Sequence, residues 1–77
     1  TPPPLEVEQW PSTEPADIAK ELALETHKRA DDLARARRAF AFDNHPDRVE
    51  PYLRDHAIVR MQIANMLIDD ALRRLKR

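Results

Sequence analysis

The chain has 77 residues, which is enough for one small hydrophobic core, and it contains neither cysteine nor glycine. The lack of cysteine excludes disulfides, thiolate metal sites and thiol nucleophiles, and the lack of glycine excludes Gly-rich phosphate-binding loops. A formal net charge of -1 argues against a globally basic nucleic-acid-binding protein. Because strand and hairpin signals are also missing, the composition predicts an all-α fold.

Residues 1–14 are rich in proline, a composition that disfavours helix and predicts either an extended linker or an arm lying on the domain surface. Three apolar residues in this stretch favour the arm over a free tail with a binding motif: Leu5, Val7 and Trp10. The helical domain is expected to span residues 15–77.

A short first helix is predicted after these prolines. Ser12 or Thr13 is a suitable N-cap, and Pro15 is tolerated in a first turn. The helix is expected to end near Leu24 and to bury a stripe formed by Ile18 and Leu22.

The second helix is predicted from about Arg29 to Asn44, because His45 precedes Pro46 and is therefore pushed out of the α region. Helical spacing directs Leu33, Ala36 and Phe40 inward. The same spacing directs Arg35, Arg38 and Phe42 to the opposite side. An arginine run is usually a solvated surface, but an outward phenylalanine beside two arginines favours a protein-binding surface.

The third helix is predicted from Pro51 to about Lys76, packed antiparallel on the second helix. Its seam has near-heptad spacing and comprises Leu53, Ala57, Met61, Ala64, Ile68, Leu72 and Leu75. A second apolar stripe comprises Val59, Ile63, Met66 and Leu67. We expect the first helix and the N-terminal arm to fold back over this second stripe.

The tripeptide His45-Pro46-Asp47 lies between the second and third helices. His27 and His56 do not stand at a recognisable metal-ligand spacing from His45, and no nucleophile lies nearby for a catalytic relay. We therefore expect no enzyme activity, no metal and no cofactor. The simplest structural interpretation is a turn that Pro46 makes rigid.

The residues around this tripeptide resemble a J-domain of the DnaJ-like co-chaperone family. The stretch DIAKELALETHKRADDLARARRAFAFDNHPDRV, residues 17–49, aligns with that family without a gap, and the third helix matches it less tightly through Met61, Ala64, Asn65 and Ile68. The chain departs from the family at four positions: Ala23 replaces the glycine that ends helix I, and Ala34, Arg37 and Asn44 replace a basic, a tyrosine and an aromatic residue.

The resemblance implies a short helix I followed by an antiparallel hairpin of helices II and III, with the HPD loop between them. It also implies a co-chaperone that docks on a DnaK-type heat-shock chaperone ATPase and stimulates its ATP hydrolysis. Carried over by position, the partner-binding residues are His45, Pro46, Asp47, Arg35, Arg38, Phe42 and Arg48. Arginines would steer the encounter, and Pro46 would limit the entropy lost on binding.

Two alternatives remain open at this point. The chain could be a J-like helical interaction module that does not stimulate a chaperone and binds a partner through the second apolar stripe. It could also be a nucleic-acid-binding helical hairpin, although its near neutrality and the lack of a stacking-aromatic array count against this.

No run of about 18 apolar residues exists, so no insertion of this stretch into a membrane is expected. We expect a monomeric, cytoplasmic domain that binds no nucleic acid. Tethering to a membrane through other parts of a longer parent protein would fit the Pro-rich start.

Overall fold

The computed structural model describes residues 3–76, which form three α-helices joined by short segments. No β-strand occurs within this part of the chain, in agreement with the all-α prediction. The helices are α1 (Pro15–Glu21), α2 (Ala30–Asp43) and α3 (Arg54–Leu75), and single 3-10 turns cover Val7–Gln9, Leu24–Thr26 and Pro51–Leu53. Over the same residues, none of the helices combines the length and the apolar character needed to cross a membrane.

Helix α1 is shorter at both ends than the sequence predicts. Its N-cap is Glu14 and not Ser12 or Thr13. Ser12 instead supports the residues around the helix start: its hydroxyl accepts the Glu14 N–H at 3.0 Å and donates to the Asp17 carboxylate at 2.7 Å. At the other end Ala23 adopts a left-handed conformation, φ 53° and ψ 43°. A left-handed residue cannot continue a right-handed helix, so α1 ends at Glu21 and not near Leu24.

Helix α2 is one residue shorter at each end than predicted, because Arg29 and Asn44 are its N-cap and C-cap and not helical residues. Asp31 and Asp32 lie in its first turn, where carboxylates interact favourably with the helix dipole. The Asn44 side chain folds back and donates from Nδ2 to the Phe40 carbonyl at 3.0 Å, a second bond to an oxygen that already accepts the Asn44 backbone N–H at 2.9 Å.

Helices α2 and α3 run antiparallel, because Arg37 pairs with Asp69 whereas Asn44, further along α2, contacts Arg60. Helix α1 packs against α3. The core lies where the three helices meet and consists of Ile18, Leu22, Leu33, Phe40, Ala64 and Ile68. Residues 33 and 40 of the predicted inward stripe are buried, and Ala36 is half-buried against them.

The predicted seam of α3 is correct except at its end, where Leu75 is exposed. Helix α3 has 22 residues and α2 has 14, so α3 is about 12 Å longer at 1.5 Å per residue. Because Arg37 pairs with Asp69 and Asn44 with Arg60, the start of α2 at Ala30 lies about level with Leu75, and the extra length of α3 is at its N-terminal end, alongside the turn.

The predicted cover of the second stripe is only partly correct. Ile63 and Leu67 pack against the core cluster, but Val59 and Met66 remain 42% and 52% exposed. The N-terminal arm does not reach these residues. It packs instead beside the first turns of α3.

The arm is anchored through Trp10. The indole ring lies 5.3 Å from the His56 ring and 5.9 Å from the Tyr52 ring, measured between centroids. Its Nε1–H donates to the Leu5 carbonyl at 3.0 Å, and the Leu5 N–H in turn donates to the Tyr52 hydroxyl at 2.7 Å. His56 Nε2 also hydrogen-bonds the Pro11 carbonyl. The N-terminal segment is therefore a surface arm and not a free linker over its described part.

Candidate partner-binding site

The loop between α2 and the 3-10 turn at Pro51–Leu53 contains a tight turn over residues 45–48. The Arg48 N–H donates to the His45 carbonyl at 2.8 Å, and Pro46 occupies the second position of this turn. Proline at that position has the φ angle that a type I or type II turn requires. The tripeptide is therefore held in one shape by its own sequence.

His45 adds a second bond inside the turn. Its Nδ1 accepts the Asp47 N–H at 3.1 Å, so Nδ1 carries a lone pair and the ring proton of the neutral imidazole is on Nε2. The Asp47 carboxylate lies 3.8 Å from the same Nδ1, beyond hydrogen-bonding distance. The carboxylate is 85% exposed. It is therefore available to a partner.

The outward row of α2 leads to this turn. Arg35, Arg38 and Phe42 are all exposed and follow one another at spacings of three and four residues, so they share one side of the helix. Arg35 lies 3.5 Å from Asp32, but its side chain is 70% exposed, and such surface pairs hold a side chain only weakly.

Arg48 joins the helix row to the turn. Its guanidinium carbon lies 3.8 Å from the centroid of the Phe42 ring, which is cation–π geometry. Phe42 is 59% exposed even with this cover. The structure thus brings Phe42 and Arg48 into contact and leaves Arg38 one turn and Arg35 two turns away from Phe42 on the same face.

Arg37 does not belong to this exposed face. Its guanidinium pairs with the Asp69 carboxylate on α3. Arg37 therefore joins α2 to α3, whereas the row of Arg35, Arg38 and Phe42 faces solvent.

Arg60 is a central residue that the sequence interpretation missed. It is 3% exposed, the one buried charged side chain among the described residues. Its Nε donates to the Ser12 carbonyl at 2.8 Å, one terminal nitrogen donates to Asn44 Oδ1 at 2.6 Å, and the other pairs with the Glu21 carboxylate. The guanidinium carbon also lies 5.2 Å from the Phe40 ring centroid. The available signal was helical spacing, since Arg60 stands three residues after Ala57 and four before Ala64, both buried.

Residues 3–76 contain no cluster of three or more histidine or acidic side chains that could hold a metal ion. The exposed groups in and beside the turn are suited to hydrogen bonds and ion pairs with another protein. They are the imidazole of His45, the carboxylate of Asp47 and the guanidinium groups of Arg38 and Arg48.

Compared with known proteins, the chain matches no family model, no curated protein and no solved structure. The chemistry and geometry of the site therefore carry the functional argument.

Proposed function

We propose that this chain is a J-domain co-chaperone module that docks on a DnaK-type heat-shock chaperone and stimulates its ATP hydrolysis. The observation that carries the proposal is the exposed turn His45-Pro46-Asp47 at the end of a helix whose solvent-facing row is Arg35, Arg38 and Phe42. This is the arrangement that the family resemblance implies for the docking surface.

The physical chemistry of the site supports a docking role. The turn is ordered before binding by Pro46 and by two internal hydrogen bonds, so little entropy is lost when a partner engages it. Arg35 and Arg38 supply exposed positive charge for attraction to an acidic surface. Phe42, stacked under Arg48, supplies apolar area beside those charges.

The test is steady-state ATP hydrolysis by a DnaK-type chaperone with and without the domain, repeated with Asp47→Asn. We expect stimulation by the wild type and none by the variant. The melting temperature should stay nearly unchanged, because the Asp47 carboxylate is exposed and the turn's bonds use its backbone N–H. Equal stimulation by the two proteins would contradict the assigned role of the carboxylate.

A second candidate function is a helical interaction module without chaperone stimulation. The exposed side chains of Ile58, Val59 and Met66 on α3 favour it, since exposed apolar patches often mark contact surfaces. A domain that leaves chaperone ATPase unchanged in both wild-type and Asp47→Asn forms would favour this alternative.

A further inference from the structure

The turn that carries the tripeptide is tied to the helices at both of its ends. On the α3 side, Arg54 Nε donates to the Pro46 carbonyl at 3.3 Å. On the α2 side, the residue immediately before His45 is Asn44, whose side chain is half-buried and bonded in two directions. The exit of the chain from α2 is therefore set by Asn44.

Asn44 is held by opposite ends of its amide. Its Nδ2 donates to the Phe40 carbonyl of its own helix at 3.0 Å, and its Oδ1 accepts from Arg60 at 2.6 Å. The first bond stays within α2, whereas the second ties the end of α2 to α3. Together with the bond from Arg54 to the Pro46 carbonyl, the second bond relates the turn to the rest of the fold.

Arg60 is itself fixed, which makes it a precise anchor. The Glu21 carboxylate of α1 and the Ser12 carbonyl of the arm take its other donors, and the Phe40 ring lies against the guanidinium. A planar guanidinium with donors in fixed directions accepts little rotation once three of them are bonded. Its bond to Asn44 therefore has a defined direction.

A buried guanidinium is not needed to fill this space, because an apolar side chain of similar volume would pack there at a comparable stability. What an apolar side chain cannot supply is a directional bond to Asn44. This points to a role in placing the turn and not only in holding the core together.

We propose that Arg60 is a positioning residue, which through Asn44 fixes the direction in which His45, Pro46 and Asp47 project toward a partner. The importance of this for chaperone stimulation rests on the proposed function, whereas the effect on the turn itself does not. Two measurements are therefore needed, one with the isolated domain and one with the chaperone.

The decisive variants are Asn44→Ala and Asn44→Asp. Alanine removes the acceptor for Arg60. Aspartate keeps an acceptor oxygen for Arg60 but loses the donor to the Phe40 carbonyl, and it places a negative charge at a helix C-terminus, which lowers stability. The pair thus separates the bond to Arg60 from stability. Gln62→Ala, at an exposed position of α3, is the matched control.

In the isolated domain, amide hydrogen exchange at Asp47 and Arg48 should accelerate by roughly tenfold in Asn44→Ala, because the turn loses one of its two ties to α3 and keeps only the bond from Arg54 to the Pro46 carbonyl. It should stay near the wild-type rate in Asn44→Asp and Gln62→Ala. Exchange that is unchanged in Asn44→Ala, or equally fast in Asn44→Asp, would overturn the positioning role.

With a DnaK-type chaperone, Asn44→Ala should raise the domain concentration needed for half-maximal ATPase stimulation by about tenfold and leave the maximal rate unchanged, since the cost is one of ordering before binding. Asn44→Asp should behave as the wild type despite its lower melting temperature. If the wild type itself does not stimulate while the exchange results hold, the proposed function fails and the positioning role stands. Arg60→Met gives a second check: a folded variant whose turn amides are as protected as in the wild type would refute the role of Arg60.

Discussion

At the scale of single residues, Ala23 carries a conformational cost. It is the one non-glycine residue with positive φ among those described, and it lies between α1 and the 3-10 turn at Leu24–Thr26. A left-handed conformation costs an L-residue roughly 1–2 kcal/mol because Cβ approaches the following carbonyl oxygen. The left-handed conformation of Ala23, which ends α1, therefore lowers the stability of the domain.

Ala23→Gly should stabilise the domain. The relief of left-handed strain exceeds the extra flexibility that glycine gives the unfolded chain, about 0.4–1 kcal/mol, and leaves a net gain of about 0.5–1 kcal/mol. For a domain of this size the melting temperature should rise by about 4 °C. Thermal unfolding followed by circular dichroism measures the change.

The control is Ala39→Gly, an exposed position inside α2. There glycine should destabilise by about 1 kcal/mol, because the helical conformation suits alanine. The same substitution should thus act in opposite directions at the two sites. A fall in melting temperature at position 23 would show that the left-handed conformation is not the dominant effect there.

At the scale of elements, the arm is the part of the fold whose stability rests on few contacts. Trp10 supplies the aromatic contacts with His56 and Tyr52, and the backbone of Leu5, Pro11 and Ser12 adds single hydrogen bonds. Val7, the apolar residue of the 3-10 turn, is 69% exposed. The apolar anchoring of the arm therefore rests on Trp10.

Trp10→Ala should lower the free energy of unfolding by about 1–2 kcal/mol, because it removes two aromatic contacts of about 0.5–1.5 kcal/mol each from a half-buried position. Val7→Ala should change it by less than about 0.5 kcal/mol. Urea unfolding of the two variants tests this. Sedimentation should find both variants monomeric. Val59 and Met66 are already exposed with the arm in place, so loosening the arm does not uncover them. Equal stability of the two variants would mean that the arm contributes nothing to folding.

The elements that could be predicted from sequence are those with a local cause. The end of α2 follows from the bond between His45 and Pro46, and the inward residues Leu33 and Phe40 follow from helical spacing. The arm could not be placed, because its contacts with Tyr52 and His56 join residues more than forty positions apart and depend on ring geometry. Arg60 was missed for a related reason: a charged residue at an inward position becomes acceptable only when partners from three other segments converge on it.

At the scale of the whole molecule, the net charge of -1 conceals an uneven surface. Arg35, Arg38 and Arg48 lie on the side that leads to the turn, whereas α1 and its surroundings expose acidic residues such as Glu14 and Glu25. An uneven charge distribution of this kind orients an approaching partner even when the net charge is close to zero.

Reversing the charge at both Arg35 and Arg38 to glutamate should weaken binding to a DnaK-type chaperone by about tenfold and flatten its dependence on salt, because exposed charges act mainly through screened attraction. The double change of Arg73 and Arg74 to glutamate, at two exposed positions in the last turn of α3, is the control for net charge. Binding curves at low and high salt measure both effects. Equal loss in all variants would indicate a general charge effect and not a docking face.

The bonds of Arg60 also define the smallest piece of chain that preserves the site. Its partners Ser12, Glu21 and Asn44 precede it by 48, 39 and 16 residues. A hairpin of α2 and α3 alone would contain every residue of the exposed row and the turn, yet it would leave the Arg60 guanidinium with one of its three partners and without the arm and α1 that contact it. A minimal folded unit must therefore begin no later than Ser12. The arm is far from the turn in sequence, yet the Ser12 carbonyl supplies one of the bonds that fix Arg60.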